Sequence, residues 1–340
     1  MALGISLLGL AHFDLPITKY VRSVTTHIPG DQLTVPWMAF TSNWGDWIGQ
    51  GWRLAFLSFL LLAIAWAFKK PSIKSVAIQT LIAHGIAALL ANVLKHLIGR
   101  PRPKFVHSGD WQMSFSFVSG LDSFPSGHST ASFAVATVLA RRFPLLGPIF
   151  LAVAIFVGLS RILRGSHFLT DVIGGAVIGT LSGCLATAPV RQWRVAIQDG
   201  LRYAAVGTSG IFAVLWVLAR PMEQGLEGIL LIGLGISMVT AGLWFRRTLW
   251  FRQARAGNSR QSDISASLIM YGLAAITTAP MVVSSVGFAC MASWLYAMGR
   301  HDNFVQESTG WSRIRESAVI GALTVAILIL VDARAVLPFP

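Results

Sequence analysis

Three short stretches of the chain concentrate the residue types that handle phosphorus. Lys95 is followed by Arg102-Pro103, then comes Pro125-Ser126-Gly127-His128, and then Ser160-Arg161, His167 and Asp171. Three cations, two histidines, a hydroxyl, a glycine and a carboxylate are the parts that phosphoryl transfer through a histidine requires. His167 and Asp171 are four residues apart, so on the helical start of a span they share a face. There the carboxylate holds one ring nitrogen as an N–H donor and leaves the other as nucleophile. Lys95, Arg102 and Arg161 suit the three equatorial oxygens of a pentacoordinate phosphorus, because arginine forks match phosphate geometry. Ser126 and the amide of Gly127 add neutral donors. Pro125 and Gly127 shape a turn directly before a helix, whose free N–H groups point towards an anion. His128 is placed to protonate the leaving oxygen and then to deprotonate a water.

These residues must be positioned by membrane helices. Of 340 residues 54% are hydrophobic and 12% charged, about half the charged share of an ordinary soluble domain. Mean hydropathy is +0.64, which excludes intrinsic disorder. The composition predicts an all-α, polytopic membrane helix bundle. Runs near the ~20 residues that cross a bilayer lie at 52–68, 75–95, 127–141, 145–160, 171–189, 203–219, 227–245, 265–281, 283–299 and 316–332. A formal charge of +13 would suggest nucleic acid in a soluble protein, but the cations fall in short clusters between apolar runs, so no nucleic-acid partner is expected. Lys69, Lys70 and Lys74, then Arg141 and Arg142, then Arg191 and Arg194 fall on one side, which positive-inside makes cytoplasmic. The stretches 95–127 and 161–170 fall on the other side, and their cations need a different reason.

Taken singly, each residue has a plain reading: a lysine or arginine near a span end anchors to headgroups, and a Ser-Gly pair is a turn. Together, Lys-x6-Arg-Pro, Pro-Ser-Gly-His and Ser-Arg-x5-His-x3-Asp occur intact and in order. In this the sequence resembles the type 2 phosphatidic acid phosphatase superfamily over about residues 50–190. The resemblance implies that His167 forms a phosphohistidine, Asp171 orients it and His128 is the acid/base. It likewise implies phosphate binding by Lys95, Arg102, Ser126, Gly127 and Arg161. It implies work without metal or other cofactor. The local sequence agrees, since besides Asp171 the two stretches offer only Asp110 and Asp122 as carboxylates, too few for a two-metal site. Arg100, Lys104 and Arg164 are further cations, read as contacts to a second anion or as surface anchors.

Three regions follow: 1–50, 51–190 with the active site, and a membrane extension of unknown role, 191–340, whose extra helices lie outside the resemblance. Ala2–Ala11 is apolar but too short to span and lacks a basic flank, so the first region reads as interfacial, with Trp37, Trp44, Trp47 and Trp52 at the headgroup layer. Cys184 and Cys290 read as small core residues. The leading expectation is a membrane lipid phosphatase, its partners the bilayer and a lipid monophosphate or diphosphate of the undecaprenyl diphosphate, phosphatidylglycerol phosphate, phosphatidic acid or lipid A type. A phosphotransferase passing the group to another lipid uses the same site. A transporter or scramblase would need headgroup binding but neither a nucleophile nor an acid.

Overall fold

Runs of alanine, leucine and isoleucine bounded by proline, glycine or charge give helices throughout the described residues. The structure, a computed structural model, describes residues 2–25, 36–106, 113–219 and 225–253, with Leu268, Gly272, Ala275 and Ile276. The helices are α1 (Ala2–Ala11), α2 (Asp14–Thr25), α3 (Pro36–Gly49), α4 (Gly51–Ala67), α5 (Pro71–Ile98), α6 (Gly127–Arg142), α7 (Gly147–Leu163), α8 (Leu169–Thr187), α9 (Trp193–Ala219) and α10 (Leu226–Gln253). Short 3₁₀ turns stand at Pro103–Phe105 and Val190–Gln192. The chain divides into two compact units, Leu7–Ala204 and Met1–Ser6 with Ala205–Pro340.

Within Leu7–Ala204, α6 is central, packed against α5, α7 and α8, while α3 lies on α7 and α4 on α5. The tightest seam is made by glycines. Gly175, Gly179 and Gly183 recur every four residues along α8, and a methyl on them would come within 2.7 Å of Ser126 O, 2.8 Å of Ala134 N and 2.6 Å of Thr137 Cβ. Small residues at this spacing let two helix backbones approach closely where no hydrophobic effect drives them together. Burial runs opposite to that of a soluble protein. Ser126, Ser129, Thr130, Thr137 and Ser160 are buried, whereas Phe56, Phe59 and Leu60 on α4 and Ile82, Leu89 and Val93 on α5 are exposed. Such outward apolar faces suit lipid.

By length and composition, the helical segments Pro71–Phe105 and Leu169–Thr187 are long and apolar enough to cross a membrane, and Ala39–Gly49 with Gly51–Ala67 would make a third span bent by 52°. Seven of the ten expected runs coincide with helices α4 to α10. The runs at 283–299 and 316–332, and nearly all of 265–281, lie outside the described residues. The described residues of the first region form α1, α2 and α3, and two of these helices pack onto the bundle: α3 lies against α7 and α6, and α2 against α7 and α8.

Candidate active site

Lys95 sits in the last turn of α5, which ends at Gly99 in the left-handed conformation (φ 55°), with the Gly99 N–H donating to Lys95 O at 2.9 Å. Only glycine fits there, because a Cβ would also overlap the Ser114 carbonyl. The turn delivers Arg102 beside Lys95. Arg102 forks onto Asp122, donating from Nε at 2.8 Å and Nη2 at 2.6 Å, and Lys95 Nζ lies 3.8 Å from the same carboxylate. Burial pushes the Asp122 carboxyl up, but Arg102 and then Lys95 outweigh it and hold the group below its ordinary value.

Ser126 is the N-cap of α6, its Oγ accepting from Ser129 N at 3.5 Å and Ser129 Oγ at 3.1 Å. Its own N–H donates to Asp171 O at 2.9 Å, which pins the α6 start to the first turn of α8. Gly127 opens the helix, and a methyl on it would stand 3.7 Å from Lys95 Nζ. The first two motifs therefore meet. A helix N-terminus with free N–H groups facing an ammonium is an anion site by construction.

His167 is 3% exposed and precedes α8 rather than lying on it, so the shared helical face expected from the four-residue spacing is replaced by a different geometry. Asp171 is the third helical residue, and its Oδ2 accepts the Phe168 N–H at 2.8 Å, reaching back over the helix start. His167 Nδ1 lies 2.8 Å from Ser123 O and 3.9 Å from Asp171 Oδ2. A carbonyl can only accept, so Nδ1 carries the proton and Nε2 keeps its lone pair. The backbone carbonyl sets the tautomer, while the carboxylate supplies negative charge beside the ring. Burial, reinforced by Arg161, Arg102 and Lys95, holds the imidazole well below its ordinary range, against a weaker opposing effect of the Ser123 bond. The ring is thus neutral and nucleophilic at neutral pH.

Arg161, in the last turn of α7, donates from Nη1 to Asp46 Oδ1. Arg164 Nη1 lies 2.9 Å from Asp46 Oδ2, and His128 Nε2 lies 3.3 Å from Asp46 Oδ1. Arg161 Nε is buried without a protein hydrogen bond among the described residues. Asp46 reaches this place because Gly45 and Gly49, one helical turn apart on α3, abut Ser160 and Val157 of α7 with no room for a side chain. Lys95, Arg102, Arg161 and Arg164 are neutralised only in part by Asp46 and Asp122, so this side of the site is cationic and suits a phosphate.

Residues 76–194 match the profile of the PAP2 superfamily. Over that part of its length the chain is similar to that superfamily. Over 98 residues it is 44% identical to the lipid A 1-phosphatase of Rhizobium johnstonii, covering 27% of this chain and 39% of that one. Over 115 residues it is 36% identical to the phosphatidylglycerophosphatase B of Bacillus subtilis, covering 30% and 51%. Over 129 residues it is 30% identical to the undecaprenyl-diphosphatase BcrC of Bacillus subtilis, covering 38% and 64%. The chain spans less than two thirds of the length of each of these relatives.

The structure brings Lys95, Arg102, Ser126, Gly127, His128, Arg161, His167 and Asp171 together in one cluster. Of the three further cations, Arg164 joins it through Asp46. Lys104 is exposed over the Phe105 ring at 4.9 Å. Arg100 is buried among Asp14, Thr170 and Asp171. Sequence reasoning missed Asp14, Asp46 and Ser123. Asp46 carried a readable signal, since it is the only charge in the apolar segment Pro36–Gly49, and an ionisable residue in such a segment marks a functional site by default. Ser123 acts partly through its backbone carbonyl, which no residue type advertises.

Proposed function

We propose that the protein is an integral membrane phosphatase that removes phosphate from a lipid monophosphate or diphosphate through a phosphohistidine. The observation that carries this reading is His167, neutral and fixed in one tautomer beside the cations Lys95, Arg102 and Arg161. Nε2 of His167 attacks phosphorus while the lipid oxygen departs, taking a proton from His128. The N–P bond is then broken by water, whose proton returns to His128, and inorganic phosphate leaves. Lys95, Arg102, Arg161 and the α6 N-terminus hold the equatorial oxygens, where negative charge is spread in the transition state. The helix ends beside a bilayer admit a headgroup whose tails remain in lipid. Lipid A, phosphatidylglycerol phosphate and undecaprenyl diphosphate, which figure in the relatives' names, are the substrates to test first.

Release of inorganic phosphate from a panel of these lipids by the purified protein tests the reading. Labelled phosphate appearing on an acceptor lipid instead would make the protein a phosphotransferase. Turnover is expected to survive EDTA and to be inhibited by vanadate, whose five-coordinate geometry resembles the transition state that the cations suit. Activity that vanishes with EDTA and returns with a divalent ion would defeat the scheme.

The site is assigned to the periplasmic or external face of a bacterial inner membrane. Lys69, Lys70 and Lys74 flank the start of α5, Arg141 and Arg142 close α6, and Arg191 follows α8. These are the helix ends remote from the motifs. In a variant lacking Cys184 and Cys290, a cysteine replacing exposed Ser119 is expected to react with an impermeant thiol reagent in intact cells, and one replacing exposed Gln192 is not. The reverse labelling would place the chemistry in the cytoplasm.

A further inference from the structure

Arg100 stands between Lys95 and Arg102 in sequence but does not join them in space. It is 5% exposed. Its Nη2 donates to Asp14 Oδ2 at 2.7 Å, and its Nη1 donates to Asp171 Oδ1 at 2.6 Å and to Thr170 Oγ1 at 2.7 Å, with the Phe168 ring 4.5 Å from the guanidinium. Asp14, the first residue of α2, accepts the Thr170 N–H at 2.9 Å on its other oxygen and the Thr170 hydroxyl on Oδ2. A residue 156 positions away in sequence thus caps the first turn of α8, next to the residue that faces His167.

Two features give this cluster a role in the chemistry. The Asp171 carboxylate is fully committed: Oδ1 to Arg100, and Oδ2 to Ser123 Oγ at 2.5 Å and Phe168 N at 2.8 Å. It cannot rotate away from His167. The charge balance is the second feature. One guanidinium shared between two buried carboxylates leaves one net negative charge, whereas Arg100 paired with Asp171 alone would leave none. An imidazole becomes positively charged when its Nε2 bonds to phosphorus, and buried charge of opposite sign nearby favours that state. The same balance argues against Arg100 as a contact for a second anion, since its Nη1 and Nη2 donate to Thr170, Asp171 and Asp14 and its surroundings are negative.

We propose that Asp14 and Arg100 form a positioning clamp for Asp171, which makes α2 part of the catalytic apparatus. The proposal rests on His167 acting as the phosphohistidine nucleophile. Asp14→Asn keeps an acceptor oxygen for Thr170 and removes the charge. It is expected to lower kcat about 10- to 100-fold, the loss usual for partners that orient a reacting group, with KM and the vanadate inhibition constant within about threefold of native. Turnover is counted per vanadate-binding site, so a role in folding alone would reduce the number of sites and leave kcat per site native; that result overturns the clamp. Weakened vanadate binding with native kcat overturns it too, by placing the cluster in the anion site. If Asp14→Asn does not fold, Thr170→Val removes the hydroxyl bridging the pair without changing charge. In that case, a kcat at least about threefold lower at unchanged vanadate affinity supports the clamp, and a native kcat overturns it. A native chain that neither binds vanadate nor releases phosphate overturns the phosphatase reading and the clamp with it. Native turnover matched by the variants overturns the clamp alone.

Discussion

Replacing His167 with alanine is expected to lower phosphate release by at least about 10³-fold and to leave no labelled phosphoenzyme, because its Nε2 is the atom assigned to form the covalent bond to phosphorus. The cations and the α6 N-terminus remain, so vanadate should still bind, which separates loss of the nucleophile from loss of the site. Near-native turnover in His167→Ala would refute the assignment. The same residue sets the acid limb of the pH profile. A nucleophilic imidazole must be neutral, so activity is lost as pH falls through its folded-state pKa. That value is held well below the ordinary 6.5 by burial and by Arg161, Arg102 and Lys95. With p-nitrophenyl phosphate, whose leaving group needs no proton from His128, phosphoenzyme formation should therefore stay flat as pH is lowered past 6.5 and decline only further down. A decline centred at the ordinary histidine value would mean that the ring is wetter and less crowded by cations than the structure has it.

The cations and histidines of the candidate site were legible because they are side chains of rare type at fixed spacing in an apolar chain. Lys95, Arg102, Arg161 and His167 stand out where 54% of residues are hydrophobic and 12% charged. The geometry that joins His167 to Asp171 was not legible. A spacing of four reads as one helical face, but helix α8 begins at Leu169, and the pair meets across its N-terminus with Ser123 O taking the ring proton. Spacing reports helix faces only where the helix already exists, and a backbone acceptor from a loop 44 positions away has no sequence signature.

Helix packing left a sequence signal, unused in the motif reading, in one place and none in another. Gly175, Gly179 and Gly183 show the small-residue period that a close seam needs, and α8 does lie against α6 along them. Asp14 and Asp46 belong to the first 50 residues, where short helices of mixed polarity carry no span-length signal. Their meaning depends on partners on α7 and α8 that are more than a hundred residues away. Tertiary pairing of this range is set by how the helices stack, which periodicity along one segment does not encode.

Removal of the His128 side chain is expected to divide substrates by their leaving groups. An alkoxide or a lipid phosphate leaving group needs a proton as its bond to phosphorus breaks, and a positioned general acid contributes about 10²- to 10⁴-fold to such a step. His128→Ala should lose turnover of lipid phosphates by that order. With p-nitrophenyl phosphate the leaving phenolate needs no proton, so attack by His167 should proceed in the variant. The second step still needs a base to take a proton from water. Turnover should then stall with the phosphohistidine in place, giving a burst of one p-nitrophenolate per site followed by a slow phase. The phosphorylated chain is recovered by quenching in alkali, in which the N–P bond survives. Asp46, 3.3 Å from His128 Nε2 and also bonded to Arg161, remains in the variant, so the cation that it holds is undisturbed and the first step is a fair reference. Equal losses on both substrates, with no burst, would remove His128 from the role of proton carrier and leave it as a further contact to the anion.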